Sequence, residues 1–189
     1  MNTRTQRPML LPTLLGAVMF TLVALASLRV AQAADNATAS ATAEVLQPIA
    51  VTKNNDLVFG NVVAGNGVVT VATDGTRTKA GATALPTGVT AVAARFDVTG
   101  TGSATFGIDY TGSDTVLTDA SSNTMAVDWI TESVTTTTPT GKTDETTDAA
   151  TGTLASGAAY IYVGGKLTVG GAQAAGTYTG VVKVTVAYN

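Results

Sequence analysis

The stretch Gly176-Thr177-Tyr178-Thr179-Gly180-Val181-Val182-Lys183-Val184-Thr185-Val186-Ala187-Tyr188-Asn189 decides the fold. Successive side chains of an extended chain point to opposite faces. Tyr178, Val182, Val184, Val186 and Tyr188 therefore share one face, and Thr179, Val181, Lys183 and Thr185 the other. One apolar and one largely polar face describe an antiparallel strand packed on one side and wet on the other. Threonine and valine are stiff at χ1 and suit a pleated surface.

Shorter segments with the same two-residue period lie upstream. Ala37, Ala39, Ala41, Ala43 and Val45 alternate with Thr38, Ser40, Thr42 and Glu44. Further strands are expected at Leu57–Val63, at Val68–Ala72 after a Gly65-Asn66-Gly67 turn, and at Ala91–Val98. Phe106, Ile108 and Tyr110 mark another, and Met125, Val127 and Trp129 the next, with Trp129 as a core residue. Tyr160–Val163 reads as a strand broken at Gly164-Gly165 and resumed by Lys166–Val169. No segment carries a 3.6-residue apolar period with caps, so little or no helix is expected. About eight to ten short strands separated by turn residues predict an all-β fold, a sandwich or a barrel. A parallel α/β fold would need crossover helices.

Residues 131–153 differ. They contain Thr135–Thr138, Asp144, Glu145 and Asp148, and only Val134 as a large aliphatic. An exposed loop or long hairpin is expected there. Asp74-Gly75 and Tyr110–Asp114 read as turns.

The first 33 residues read as a secretory signal peptide. Arg4 and Arg7 precede an apolar run from Met9 to Leu28, and Ala31-Gln32-Ala33 supplies the small residues of a cleavage site. The expected organisation is a signal peptide over 1–33, an N-terminal extension over 34–46 and a sandwich domain over 47–189. Cleavage would remove Arg4, Arg7 and Arg29, leaving seven basic residues against thirteen acidic ones, a net charge of −6. Phosphate binding needs clustered Lys and Arg, so nucleic acid is not an expected partner.

Catalysis finds little to build on. The chain has no histidine and no cysteine, which removes Ser-His and Cys-His pairs and the commonest metal ligands. No Gly-x-Ser-x-Gly elbow or phosphate-binding loop is present. Asp109, Asp114 and Asp119 match no cation-ligand pattern. No enzyme activity, cofactor or metal is expected.

The two ends of the chain carry a resemblance. Counting back from Asn189, Gly176 is the fourteenth residue and Tyr188 the second. With Val182, Val184 and Val186 alternating between them, this resembles the C-terminal signature of chaperone–usher fimbrial subunits. The stretch from Ala34 through Leu57-Val58-Phe59-Gly60 looks like the N-terminal part of spore-coat-U-like pilins. The mature chain is also similar to an uncharacterised family of secreted bacterial domains, domain of unknown function 4402. Many such pilins carry a disulfide near the N-terminal strand, and this chain has none.

The resemblance implies a pilin-type, immunoglobulin-like β-sandwich lacking its final strand. It implies a cell-surface fimbrial subunit, secreted through the periplasm and polymerised by donor-strand exchange. Ala37, Ala39, Ala41, Ala43 and Val45 would be the donor strand. Gly176, Tyr178, Val182, Val184, Val186 and Tyr188 would form the acceptor groove and chaperone contact. The implied partners are identical or related subunits, a periplasmic chaperone and an outer-membrane usher. The same residues also admit a self-complete, monomeric secreted surface or matrix β-domain, adhesive in function, with residues 37–45 tucked into its own sheet.

Overall fold

The computed structural model describes residues 35–144 and 149–189. The signal-peptide region and Glu145 and Asp148 of the Thr-rich stretch lie outside the described residues. The chain divides into two units between Ala43 and Glu44. In the first, residues 35–43 are exposed and carry no strand. The second, Glu44–Asn189, holds every strand among the described residues, and its own residues 44–48 are exposed and without regular structure.

The second unit is all-β, with antiparallel pairing throughout and no helix among the described residues. In chain order the strands are β1 (Ala50–Asn55), β2 (Gly67–Val71), β3 (Arg77–Gly81), β4 (Ala94–Thr99), β5 (Thr105–Asp109), β6 (Val116–Thr118), β7 (Thr124–Val134), β8 (Thr151–Thr153), β9 (Ala158–Val169) and β10 (Thr185–Tyr188). They form a sandwich of a seven-stranded and a three-stranded sheet, the latter ordered β10-β5-β8.

The long strand β9 is the spine of the larger sheet. Along one edge it pairs with β7, from Val127↔Leu167 to Val134↔Tyr160. Along the other edge two strands follow each other end to end. β4 takes residues 158–163 and β2 takes 165–169. β1 flanks β4, β3 flanks β2, and β6 flanks β7.

Gly164-Gly165 does not break β9, contrary to the sequence expectation: the ladders run through both residues. The glycines serve close approach instead. A Cβ on Gly164 would lie 2.1 Å from the carbonyl oxygen of Val71, and one on Gly165 would lie 3.0 Å from the Phe59 ring and 3.5 Å from Trp129.

Two apolar clusters fill the sandwich. Phe96 and Val98 of β4, Phe106 and Ile108 of β5, Leu154, and Ala159, Ile161 and Val163 of β9 make the first. Val69, Leu117, Met125, Val127, Leu167 and Val169 make the second. Trp129 packs against both. It is half-buried, its indole N–H donating to the Asp114 carbonyl at 2.8 Å. Tyr188 closes one end of the sandwich. Its hydroxyl accepts from the Thr101 N–H at 2.7 Å and donates to the Gln47 carbonyl at 2.8 Å.

The Thr-rich stretch is shorter than expected, because residues 131–134 belong to β7 and 151–153 form β8. Thr135–Thr138 are exposed, as expected of a loop. Its base is fastened to the sheet by Glu132, only 3% exposed. One carboxylate oxygen accepts from the Thr140 N–H at 2.9 Å and the Thr140 hydroxyl at 2.6 Å; the other accepts from the Thr73 hydroxyl at 2.5 Å. Tyr162, also buried, donates to the Thr137 carbonyl at 2.7 Å.

Burial pushes the Glu132 carboxyl up, but the bonds from Thr140 and Thr73 outweigh it, so it titrates below the ordinary glutamate range. A depressed folded-state value means stability that is present above the unfolded value of about 4.3 and lost as pH falls through the folded one. Glu132→Gln keeps one acceptor oxygen and turns an amide toward a hydroxyl. It should cost about 1–3 kcal/mol at pH 7 by urea unfolding, and that difference should shrink toward pH 3. A difference that does not change with pH would show that the carboxylate charge is not what holds the loop.

Candidate binding groove

The site begins with the chain from Tyr178 to Tyr188. The alternation read from sequence holds along its whole length: Tyr178, Val182, Val184, Val186 and Tyr188 are half-buried, and the odd-numbered residues are exposed. Only Thr185–Tyr188 is regular strand, paired with β5. Before it, the odd-numbered backbone groups turn toward residues 113–118. Thr179 exchanges two hydrogen bonds with Thr118, Val181 accepts from the Asp114 N–H, and the Val181 N–H donates to the Asp114 carboxylate at 2.6 Å. The Lys183 N–H donates to the Ser113 hydroxyl at 2.9 Å. The ladder is irregular because side chains replace carbonyls as acceptors at Asp114 and Ser113.

The opposite edge is different. Among the described residues, Gly180, Val182 and Val184 make no backbone–backbone hydrogen bond, and β10 pairs with β5 alone. Alongside this edge lies a cavity of about 1050 Å³. Residues 57–64 form one wall and 173–182 the other; Leu117, Met125, Trp129 and Leu167 line it from the core. Val58, Val63 and Val181, at 36%, 48% and 61% exposure, stand exposed beside it.

Most of this wall, Leu57–Val63, was expected to be a strand. It is instead extended chain with two isolated bridges, Val58↔Val92 and Val63↔Ala84. Between them Gly60 takes φ +77°, a left-handed conformation that interrupts a strand. Arg77 of β3 holds this kink. Its guanidinium donates to the carbonyls of Phe59 at 2.9 Å, Asn61 at 3.2 Å and Pro86 at 3.1 Å. Sequence reading missed Arg77, since a lone arginine beside a turn carries no periodic signal. The facing wall is stitched by Tyr178, whose hydroxyl accepts from the Gln173 amide at 2.7 Å and donates to the Ala174 carbonyl at 2.9 Å.

The residues expected to form one acceptor surface divide. Gly176, Tyr178 and Val182 line the groove, Val182 packing against the first core cluster as well. Val184, Val186 and Tyr188 continue the same face but pack against the first core cluster. Of the expected donor residues, Ala37, Ala39, Ala41, Ala43 and Val45 are all exposed, Val45 at 93%. The segment is not in a strand, so the alternating pattern has no sheet to answer to there.

The aspartates singled out by spacing are each occupied locally. Asp109 accepts from the Thr111 N–H and hydroxyl, Asp114 from Val181, and Asp119 from Ser121 and Asn123. They act as turn and edge caps.

A family model described as Domain of unknown function (DUF4402) matches residues 49–188. The chain belongs to this family. The match spans β1 to β10, both groove walls and the Thr-rich loop, and begins after the exposed segment 35–48. No curated protein matches the chain, and no solved structure does. Within this DUF4402 domain, the groove combines a mixed lining, apolar toward the core and polar at Asn55, Asp56, Asn61 and Gln173, with an open backbone edge. That combination can bind an extended peptide by adding a strand: main-chain bonds supply affinity and alternate side chains enter the lining.

Proposed function

We propose that this chain is a structural subunit of a bacterial cell-surface fimbria and has no catalytic role. It is exported to the periplasm, escorted by a chaperone, and polymerised at an outer-membrane usher. Its groove accepts a strand from the next subunit, and residues 37–45 are given to another. The observation that carries this reading is the open edge at Gly180–Val184 beside a groove whose core side is apolar, at Leu117, Met125, Trp129 and Leu167. An edge of that kind recruits a strand or aggregates. The exposed, strandless alternating segment 37–45 supports the donor half, and head-to-tail exchange of such elements builds open filaments.

Deletion of residues 35–44 in the native host tests it. The shortened chain should still fold and be recovered from the periplasm, yet disappear from the fibre fraction sheared from cells. Wild-type amounts of the shortened chain in that fraction would refute the donor role.

A further inference from the structure

We infer that the groove accepts a strand from a different polypeptide, one bearing bulky apolar side chains at alternate positions, and not the N-terminal segment of an identical copy. This rests on the strand-accepting reading above and adds who the donor is.

The argument is one of size. The cavity of about 1050 Å³ has large apolar side chains on its core side, Met125, Trp129 and Leu167, and Phe59 and Tyr178 on its walls, while polar and small residues such as Asn61, Gln173 and Ala175 line the rest. Phe59, Trp129 and Tyr178 are only half-buried as they stand. A strand laid along Tyr178–Val184 presents three or four side chains inward, since alternate residues share a face. Segment 37–45 offers Ala37, Ala39, Ala41 and Ala43 in one phase, and Thr38, Ser40, Thr42 and Glu44 in the other. Its two bulky residues, Val45 and Leu46, are adjacent, so they fall on opposite faces and neither phase supplies more than one. Pro48 then removes a backbone donor.

Methyl groups against that lining would leave voids, and atoms bordering a void forfeit their packing contacts. Leucine, isoleucine or phenylalanine at three alternate positions would fill it. An identical copy carries the same alanines, so head-to-tail homopolymerisation leaves every groove underfilled. The alanine strand in turn suits a shallower groove on another subunit. The fibre is then an ordered heteropolymer in this region.

Trp129 is the only tryptophan and lines the groove, so its emission reports occupancy directly. Three peptides would be titrated into the purified full chain. The first is native 35–47. The second carries Ala39→Leu, Ala41→Ile and Ala43→Leu. The third has the second peptide's composition with its three large residues consecutive. The second should bind at least tenfold more tightly than the other two and shift Trp129 emission to the blue. Equal affinity for the native peptide would overturn the inference while leaving strand acceptance intact. Equal affinity for the third would show mere apolar adhesion and also overturn it. Binding by none of the three would defeat strand acceptance itself, and the inference with it.

Discussion

Gly164→Val should abolish the folded domain. A Cβ there would sit 2.1 Å from the Val71 carbonyl oxygen and 3.0 Å from the Ala72 carbonyl carbon. Those are backbone atoms, which cannot swing aside as the end of a long side chain can. Relief requires β2 to move off β9, and β2 carries Val69 and Val71, both fully buried. The loss therefore includes ladder hydrogen bonds and core packing together. We expect a cost of about 4 kcal/mol or more, in the range reserved for core disruption and a large part of the 5–15 kcal/mol that usually holds a domain. Gly170→Ala is the control. Its new Cβ meets nothing nearer than the Gln173 side chain at 3.5 Å, so its cost should stay within about 0.5 kcal/mol. Circular dichroism and urea unfolding would separate the two. A Gly164→Val chain with wild-type cooperativity would mean that β2 and β9 do not approach as described.

Val182→Asp should remove the protein from fibres while sparing its fold. Val182 is half-buried, lines the groove, and belongs to the edge that makes no backbone–backbone hydrogen bond. In the free chain an aspartate there loses the packing of Val182 against the first core cluster but reaches solvent through the open groove, so stability should fall by about 1–3 kcal/mol. Once a strand covers it, the carboxylate is buried without a partner, at a cost of several kcal/mol. That corresponds to at least a hundredfold loss of strand affinity at 1.4 kcal/mol per decade. Ala187→Asp is the matched control, because Ala187 is exposed, belongs to the other face and lies outside the groove lining. Fibres containing Val182→Asp at wild-type abundance would refute the acceptor assignment. Equal loss for both variants would indicate a general charge effect instead.

Much of the architecture was legible where a segment had one dry and one wet face. β4, β5 and β7 follow their alternating sets, with Phe96 and Val98, Phe106 and Ile108, and Met125 and Val127 buried as read. The face of the last strand was legible for the same reason. Legibility failed where period 2 and burial parted company. β3 is nearly all exposed, Arg77 to Gly81, and shows no apolar alternation. Segment 37–45 alternates but lies in no strand. Gly164-Gly165 looked like an interruption because sequence does not reveal how near β2 lies. The groove itself arises from two walls more than a hundred residues apart, and no local pattern announces such a meeting. Glu132 was equally silent: its three donors come from Thr73 and Thr140, one 59 residues away and one 8.

The spine β9 also dictates an order of events in time. It pairs with β2, β4 and β7, all of which precede it in the chain. None of these ladders can close until residues 158–169 have been made, so most of the larger sheet waits on a late-arriving template. Non-local pairing of this kind slows folding and prolongs the life of exposed strands. A nascent chain should therefore stay loose and threadable until residues 158–169 emerge, and should collapse abruptly afterwards.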